Sequence, residues 1–100
     1  MSRMSADTLA RIRSAIERQL APAEILVNDE SALHVGHAGS REGGHFRVHV
    51  VSERFRGLTR IARHRMVYQA VAELMGRGIH ALAVDARTPD ERDDKIGLTY

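Results

Sequence analysis

The chain contains no cysteine, which removes disulfides, a thiolate nucleophile and any metal or iron–sulfur site held by its own thiolates. Lysine is nearly absent as well. Fourteen of the fifteen basic residues are Arg, whose planar fork suits phosphate or carboxylate better than an ammonium does. No apolar run approaches the ~18 residues that a membrane span needs, and the opening Met1-Ser2-Arg3-Met4-Ser5-Ala6-Asp7 has no greasy stretch of the kind a secretory signal requires. The expectation is a cytoplasmic chain without membrane contact. Catalytic signatures are missing too: there is no nucleophile-elbow Ser, no Gly-rich phosphate loop opening a helix and no zinc-type His-Glu-x-x-His pattern. Carboxylates are scattered, Asp29 and Glu30 at a strand end and Asp90, Glu91, Asp93 and Asp94 in the tail, so no acid–base pair is indicated. No catalytic residue is assigned, and a binding protein is expected rather than an enzyme.

What is present fits one domain. One hundred residues with 43% apolar content support a single core and leave little room for a deep enclosed cavity. The net charge of +2 conceals a segregation: residues 1–40 carry four Arg against five acids, residues 41–77 eight Arg against three, and residues 78–100 three bases against five acids. Positive charge is concentrated in the middle, which fits an acidic or phosphate-bearing partner.

Periodicity divides the chain into elements. Leu9, Ile12, Ile16 and Leu20 recur at helical spacing between Asp7 and Leu20, with Asp7 as cap and Pro22 as terminator. Ala23–Glu30, with Ile25-Leu26-Val27, reads as a first strand. Ser31–Gly44 contains four Gly and forms a long loop. His45–Val51 alternates, Phe46, Val48 and Val50 facing a core and His45, Arg47 and His49 facing away. A helix over Thr59–Met75 carries Ile61, Val67, Val71 and Leu74, with Tyr68 and Met75, along one side, and closes at Gly76 and Gly78. Ile79–Ala86 reads as a buried third strand, and Thr88–Lys95 as a charged tail with at most a short helix. The expected fold class is α+β in the order α-β-β-α-β: a three-stranded mixed sheet with helices packed on one face, its second and third strands parallel through the crossover. Residues 1–6 are expected to be disordered, 7–88 to form the domain and 89–100 to be a charged C-terminal tail.

Separate strings then carry a resemblance. His45-Phe46-Arg47-Val48, Val50-Val51-Ser52, Phe55-Arg56-Gly57, Arg63-His64-Arg65-Met66-Val67-Tyr68 and Ile79-His80-Ala81-Leu82-Ala83, in this order and at these distances, resemble the BolA family over about residues 8–89. The resemblance implies a class II KH-like fold, in agreement with the element order. It also implies pairing with a monothiol glutaredoxin, sharing a 2Fe–2S cluster with that partner and its glutathione for cluster assembly, transfer or iron and redox sensing. A second implied function is DNA-binding transcriptional regulation of the morphogene or stress type. No cofactor is expected on the isolated chain, which is expected to be a monomer or weak homodimer.

Two groups of residues answer to these functions. Neutral imidazole ligates iron, as Rieske centres show, and the resemblance makes His80 the fixed ligand and His37 the loop ligand. His34 and His45 stand in reserve. The competing reading of His80 is a partly buried strand histidine on the face of Leu82 and Val84; that of His37 is a solvated loop residue. His49 reads as surface, and His64 as packing on the Val67–Tyr68 side of its helix. The other group is Arg54, Arg56, Arg60, Arg63 and Arg65, five Arg with no intervening acid. They form a basic turn and helix start suited to DNA, to an acidic protein surface, or simply to solvent. A GxxG clamp between two helices, the usual KH device, is not present there. Gly36-His37-Ala38-Gly39 has that spelling but lies in the strand–strand loop.

Overall fold

The computed structural model describes residues 3–31 and 43–92. Helix α1 spans Arg3–Leu20, so it begins four residues before the expected Asp7 cap, and Asp7 lies inside it. Arg3–Ala6, expected to be disordered, are its first turn. Its inward stripe is the predicted one: Ile12 and Ile16 are fully buried, Leu20 nearly so, and Leu9 packs beside them. The helix ends with Ala21 in the left-handed region (φ 42°), its N–H donating to the Glu17 carbonyl (3.2 Å), and Pro22 prevents continuation.

Strand β1 (Glu24–Asp29) pairs antiparallel with β2 (Gly43–Val51), and β2 pairs parallel with β3 (Gly78–Arg87). The sheet order is β1-β2-β3. Alternation sets the faces: Phe46, Val48 and Val50 of β2 join Ile79, Leu82 and Val84 of β3 against α1 and α2 (Arg60–Ala70). The structure is therefore α+β, a three-stranded mixed sheet under two helices. Its opposite face carries polar pairs, Arg47 Nε with Glu30 (2.9 Å) and His49 Nδ1 with Asp85 (2.8 Å), and Leu26 at 53% exposure. His49, expected as plain surface, is thus a half-buried partner of Asp85.

The crossover is shorter than its periodicity predicts. Thr59 caps α2 by accepting the Ala62 N–H (3.1 Å), and α2 gives way after Ala70 to a 3-10 turn at Ala72–Leu74. Val67 and Val71 are buried, but Ile61 is 65% exposed. Six positions at 100° per residue put it about 240° around the helix from Val67, off the buried stripe. α2 also covers the outer edge of β3. The Tyr68 hydroxyl donates to the Leu82 carbonyl (2.7 Å) and Arg63 Nη1 to the Ala86 carbonyl (3.2 Å), which blunts an edge strand otherwise open to pairing. Burial raises the Tyr68 phenol, partly offset by that hydrogen bond.

Two junctions tie the layers. Ser52, buried, donates through Oγ to the Leu20 carbonyl (2.6 Å), accepts from the Arg54 N–H (3.1 Å), and its own N–H donates to Arg87 (2.8 Å). One residue thereby joins α1, β2 and β3. Beside it, Phe55 fills the core from the 3-10 turn Glu53–Phe55 with no exposure at all. The second junction is Arg63, which donates to Glu91 (2.6 Å) as well as to the carbonyls of Leu58 (3.0 Å) and Ala86. The tail's only regular element among the described residues is the 3-10 turn Pro89–Glu91, a capping box on Thr88.

Phe55→Ala should cost about 3–5 kcal/mol, the usual loss for a fully buried ring, out of the ~5–15 kcal/mol that holds a small domain together. A urea midpoint unchanged in that variant would show that the ring is not part of the core. The acid limb of stability should report Glu91. The guanidinium of Arg63, helped by the Thr88 N–H, lowers its carboxyl from 4.5 to about 2. Its contribution is complete above the unfolded value and is lost as pH falls from there towards the folded one. Glu91→Gln should therefore be less stable at pH 6 and should lose less stability between pH 6 and pH 3 than the parent. Equal losses in urea titrations at both pH values would refute the assignment.

Candidate functional site

Of the expected ligand residues, His80 and the reserve His45 meet at one end of the sheet, and a register irregularity brings His80 there. Gly44 faces Ile79 and His45 faces Ala81, so β3 carries one extra residue, His80, that faces nothing on β2. Such a bulge re-aims side chains. Burial follows: Ile79 is buried, His80 exposed, Ala81 intermediate and Leu82 buried. His80 therefore does not share the face of Leu82 and Val84, as simple alternation predicts, because the extra residue breaks the two-residue period between Ile79 and Leu82. The ring of His80 lies against that of His45, centroids 5.1 Å apart and planes tilted by 49°. His45 is half-buried, its Nε2 shielded from solvent.

The backbone around His45 is tightly held. Its N–H donates to Ser31 Oγ (3.0 Å) and its carbonyl accepts from the Glu30 N–H (2.7 Å), while the Ser31 N–H donates to Asp29 (2.8 Å). Gly44 is required beside it, since a Cβ there would lie 2.7 Å from the Phe46 ring and from Ser31 Oγ. Gly43 pairs with Gly78, whose φ of 137° suits glycine. The histidine-bearing loop thus leaves the sheet at Ser31 and rejoins it at Gly43, and both anchors sit at the His45–His80 corner. His34 and His37 themselves lie outside the described residues. Among the described residues no group of three His, Asp or Glu side chains is placed to hold a metal ion. Ser31, Gly43 and Gly44 were not singled out from sequence. The two glycines carry a signal, a glycine pair directly before the alternating run from His45, a common mark of a bulge or close backbone approach; Ser31 carries none.

The Arg cluster divides. Arg56 pairs with both Glu53 oxygens (2.8 and 2.9 Å) and with Asp90 (3.0 Å), which raises its already high pKa and lowers that of Glu53. Asp90 is lowered too, first by the Thr88 hydroxyl and then by Arg56. Arg63 is consumed by Glu91 and two carbonyls. These two, expected to be available to a ligand, are structural, because folding brings acids from the 3-10 turns against them. Arg54 donates to the Gln19 carbonyl (2.9 Å). Arg54, Arg60 and Arg65 are exposed and have no carboxylate partner among the described residues. Arg11, Arg18 and Arg77, which the sequence did not point to, line the cleft between α1 and the end of the α2 segment. His64 packs on Tyr68 with ring centroids 4.8 Å apart, as its helical position predicts.

No helix among the described residues is long and apolar enough to cross a membrane. Residues 16–91 match the family model described as BolA-like protein. The BolA-like protein 1 of Homo sapiens is 48% identical over 80 residues, which cover 80% of this chain and 57% of that protein. The DNA-binding transcriptional regulator BolA of Vibrio cholerae serotype O1 is 43% identical over 84 residues, covering 80% of this chain and 77% of that one. The solved BolA domain of SufE1 from Arabidopsis thaliana superposes with a TM-score of 0.75 at 39% identity, over 84% of this chain and 94% of that domain. The chain spans little more than half the length of the human relative. Family match, relatives and fold agree, and the chain belongs to the BolA-like protein family.

Proposed function

We propose that the chain is an adaptor that docks on a monothiol glutaredoxin and supplies nitrogen ligands to a 2Fe–2S cluster, the partner and its glutathione supplying sulfur. The reading is supported by one observation above all: His80 stands exposed at the corner where both ends of the histidine-bearing loop are anchored. His34 follows Ser31 by three residues and His37 precedes Gly43 by six, so short covalent tethers join both to that corner. The donor set suits the group. A chain without cysteine offers neutral imidazole, which binds iron and complements thiolates held elsewhere. His80 is the fixed donor and His37 the loop donor, with His34 as its rival.

Mixing the protein with a cluster-loaded monothiol glutaredoxin should produce a new visible absorption and circular dichroism spectrum, with iron and sulfide retained in the complex. His80→Ala should abolish that spectrum or weaken the complex by at least the ~10-fold that loss of even an outer partner costs a metal site. An unchanged spectrum in His80→Ala would overturn the ligand assignment.

A second reading, DNA binding, is favoured by the name of the Vibrio relative and by exposed Arg54, Arg60 and Arg65 without carboxylate partners among the described residues. The phosphate-facing side chains are these three rather than Arg56 and Arg63. A gel shift with duplex DNA should weaken steeply with salt, and Arg60→Ala with Arg65→Ala should reduce the log–log salt slope by about 2, near 0.9 for each lost phosphate contact. Absence of a shift at low salt would retire this reading.

A further inference from the structure

We propose that His45 and His80 form a preassembled two-imidazole site that takes a single divalent first-row transition-metal ion in the isolated chain, before any partner arrives. The inference rests on the reading of this corner as a metal-ligand site, but it assigns the second nitrogen to His45 on the sheet rather than to the loop. Distance is its first support. With metal–nitrogen bonds of ~2.1 Å and a tetrahedral angle between them, two imidazoles on one ion hold their ring centres ~5 Å apart. The observed separation is 5.1 Å. Stacked aromatic pairs also fall near this value, so the argument needs a second, independent support.

That support is construction. In an unbroken parallel ladder, residues at successive positions point to opposite faces, and a histidine two positions before the core-facing Leu82 would turn inward with it, away from the side that His45 occupies. The bulge between Gly44 and His45 changes that parity for one residue and sets His80 against His45. On the other strand both backbone polar groups of His45 are engaged by Ser31 and Glu30, so its Cα–Cβ vector is held by hydrogen bonds. Two donors fixed by strand backbone lose little conformational freedom when an ion bridges them, which is what makes a small site usable. Chemistry sets the class of ion. Two neutral nitrogens with water completing the shell suit Co2+, Ni2+, Cu2+ or Zn2+ rather than Mg2+ or Ca2+, which require oxygen. With Nε2 of His45 shielded from solvent, one side of the ion would rest against protein while the exposed His80 side stays open to exchange. The ion is then a passing occupant of the same corner that a partner-held cluster would use.

Titrating the isolated chain with Co2+ tests this. Visible ligand-field absorption should saturate at one ion per chain, and ring 1H–15N correlations should shift or broaden for His45 and His80 before the other histidines. His80→Gln, at an exposed position, should weaken binding tenfold or more, as should His45→Gln, while His64→Gln, on the α2 face, should bind within twofold of the parent. Should His45→Gln fail to fold by far-ultraviolet circular dichroism, the ring shifts of the parent protein still decide the matter. Saturation that leaves the His45 ring signals in place, or that disappears in a His34→Ala, His37→Ala double variant while persisting in His45→Gln, would overturn the proposal. The glutaredoxin mixing experiment reads separately: loss of the mixed cluster spectrum alone removes the adaptor reading, whereas loss of the Co2+ response alone removes the His45 site.

Discussion

A mismatch of one residue between two parallel strands shapes the end of the sheet where His45 and His80 meet. From Leu82 to Arg87, β3 runs in step with Phe46 to Val51 of β2, and the inward side chains of both strands are shared with the helices above. Before that stretch the count differs by one. The core cannot absorb the difference, because Ile79 and Leu82 must both be buried with two residues between them. His80 is therefore expelled to solvent, and Ala81, small enough to sit half-covered, restores the period. The glycines on either side are part of the same arrangement: Gly44 lets Phe46 and Ser31 close over the backbone, and Gly78 turns the chain into β3 at a positive φ. Packing of the hydrophobic face thus sets the position of a polar residue on the sheet's rim.

Charge is distributed by a related logic. The middle of the chain is rich in Arg, yet folding returns acids to some of them. Glu53, Asp90 and Glu91 neutralise Arg56 and Arg63, and the resulting contacts lock the end of β3 onto α2 and onto the turn before it. Arg87 bonds Asp85 and the carbonyls of Glu91 and Arg92 and so performs the same service on the open face. Arginine's several donors allow each of these side chains to hold two or three backbone segments at once. Among the described residues of this stretch, Arg54, Arg60, Arg65 and Arg77 keep no carboxylate partner, and the first three leave exposed charge around the turn and start of α2. A basic sequence segment is therefore a poor guide to a basic surface.

The fold was largely legible in the sequence, and the site only in part, for identifiable reasons. Alternation in Phe46–Val50 and the helical stripe Leu9–Leu20 are local signals, and core packing enforces them, so both were readable. Ile61 misled because an apolar residue near a helical stripe looks like a member of it unless its angular position is counted. His80 misled because a bulge is a property of two strands together, and its trace in one strand is only the Gly43-Gly44 pair far away in sequence. The pairing of Arg63 with Glu91 links residues 28 apart and has no local signature. Ser31 resembled an ordinary loop residue, since its role is to receive a hydrogen bond from a residue 14 positions on.

These constraints have a chemical consequence for a chain without thiols. A neutral imidazole brings no negative charge to iron, so a site completed with nitrogen is less electron-rich than one completed with thiolate, the same difference that raises the potential of Rieske centres over all-cysteine ones. It is also easier to release, because the departing ligand is a stable neutral base rather than an anion that must be protonated or find another metal. In the proposed adaptor, a donor fixed on the sheet and others tethered through the adjoining loop would divide the work. On that proposal the strand donor would set where a metal docks, and the loop donors, tethered to the sheet at Ser31 and Gly43, would determine how readily it is surrendered. The bulge that fixes His80 in place would serve the first requirement without demanding a buried cavity, which a domain of 100 residues has little interior to build.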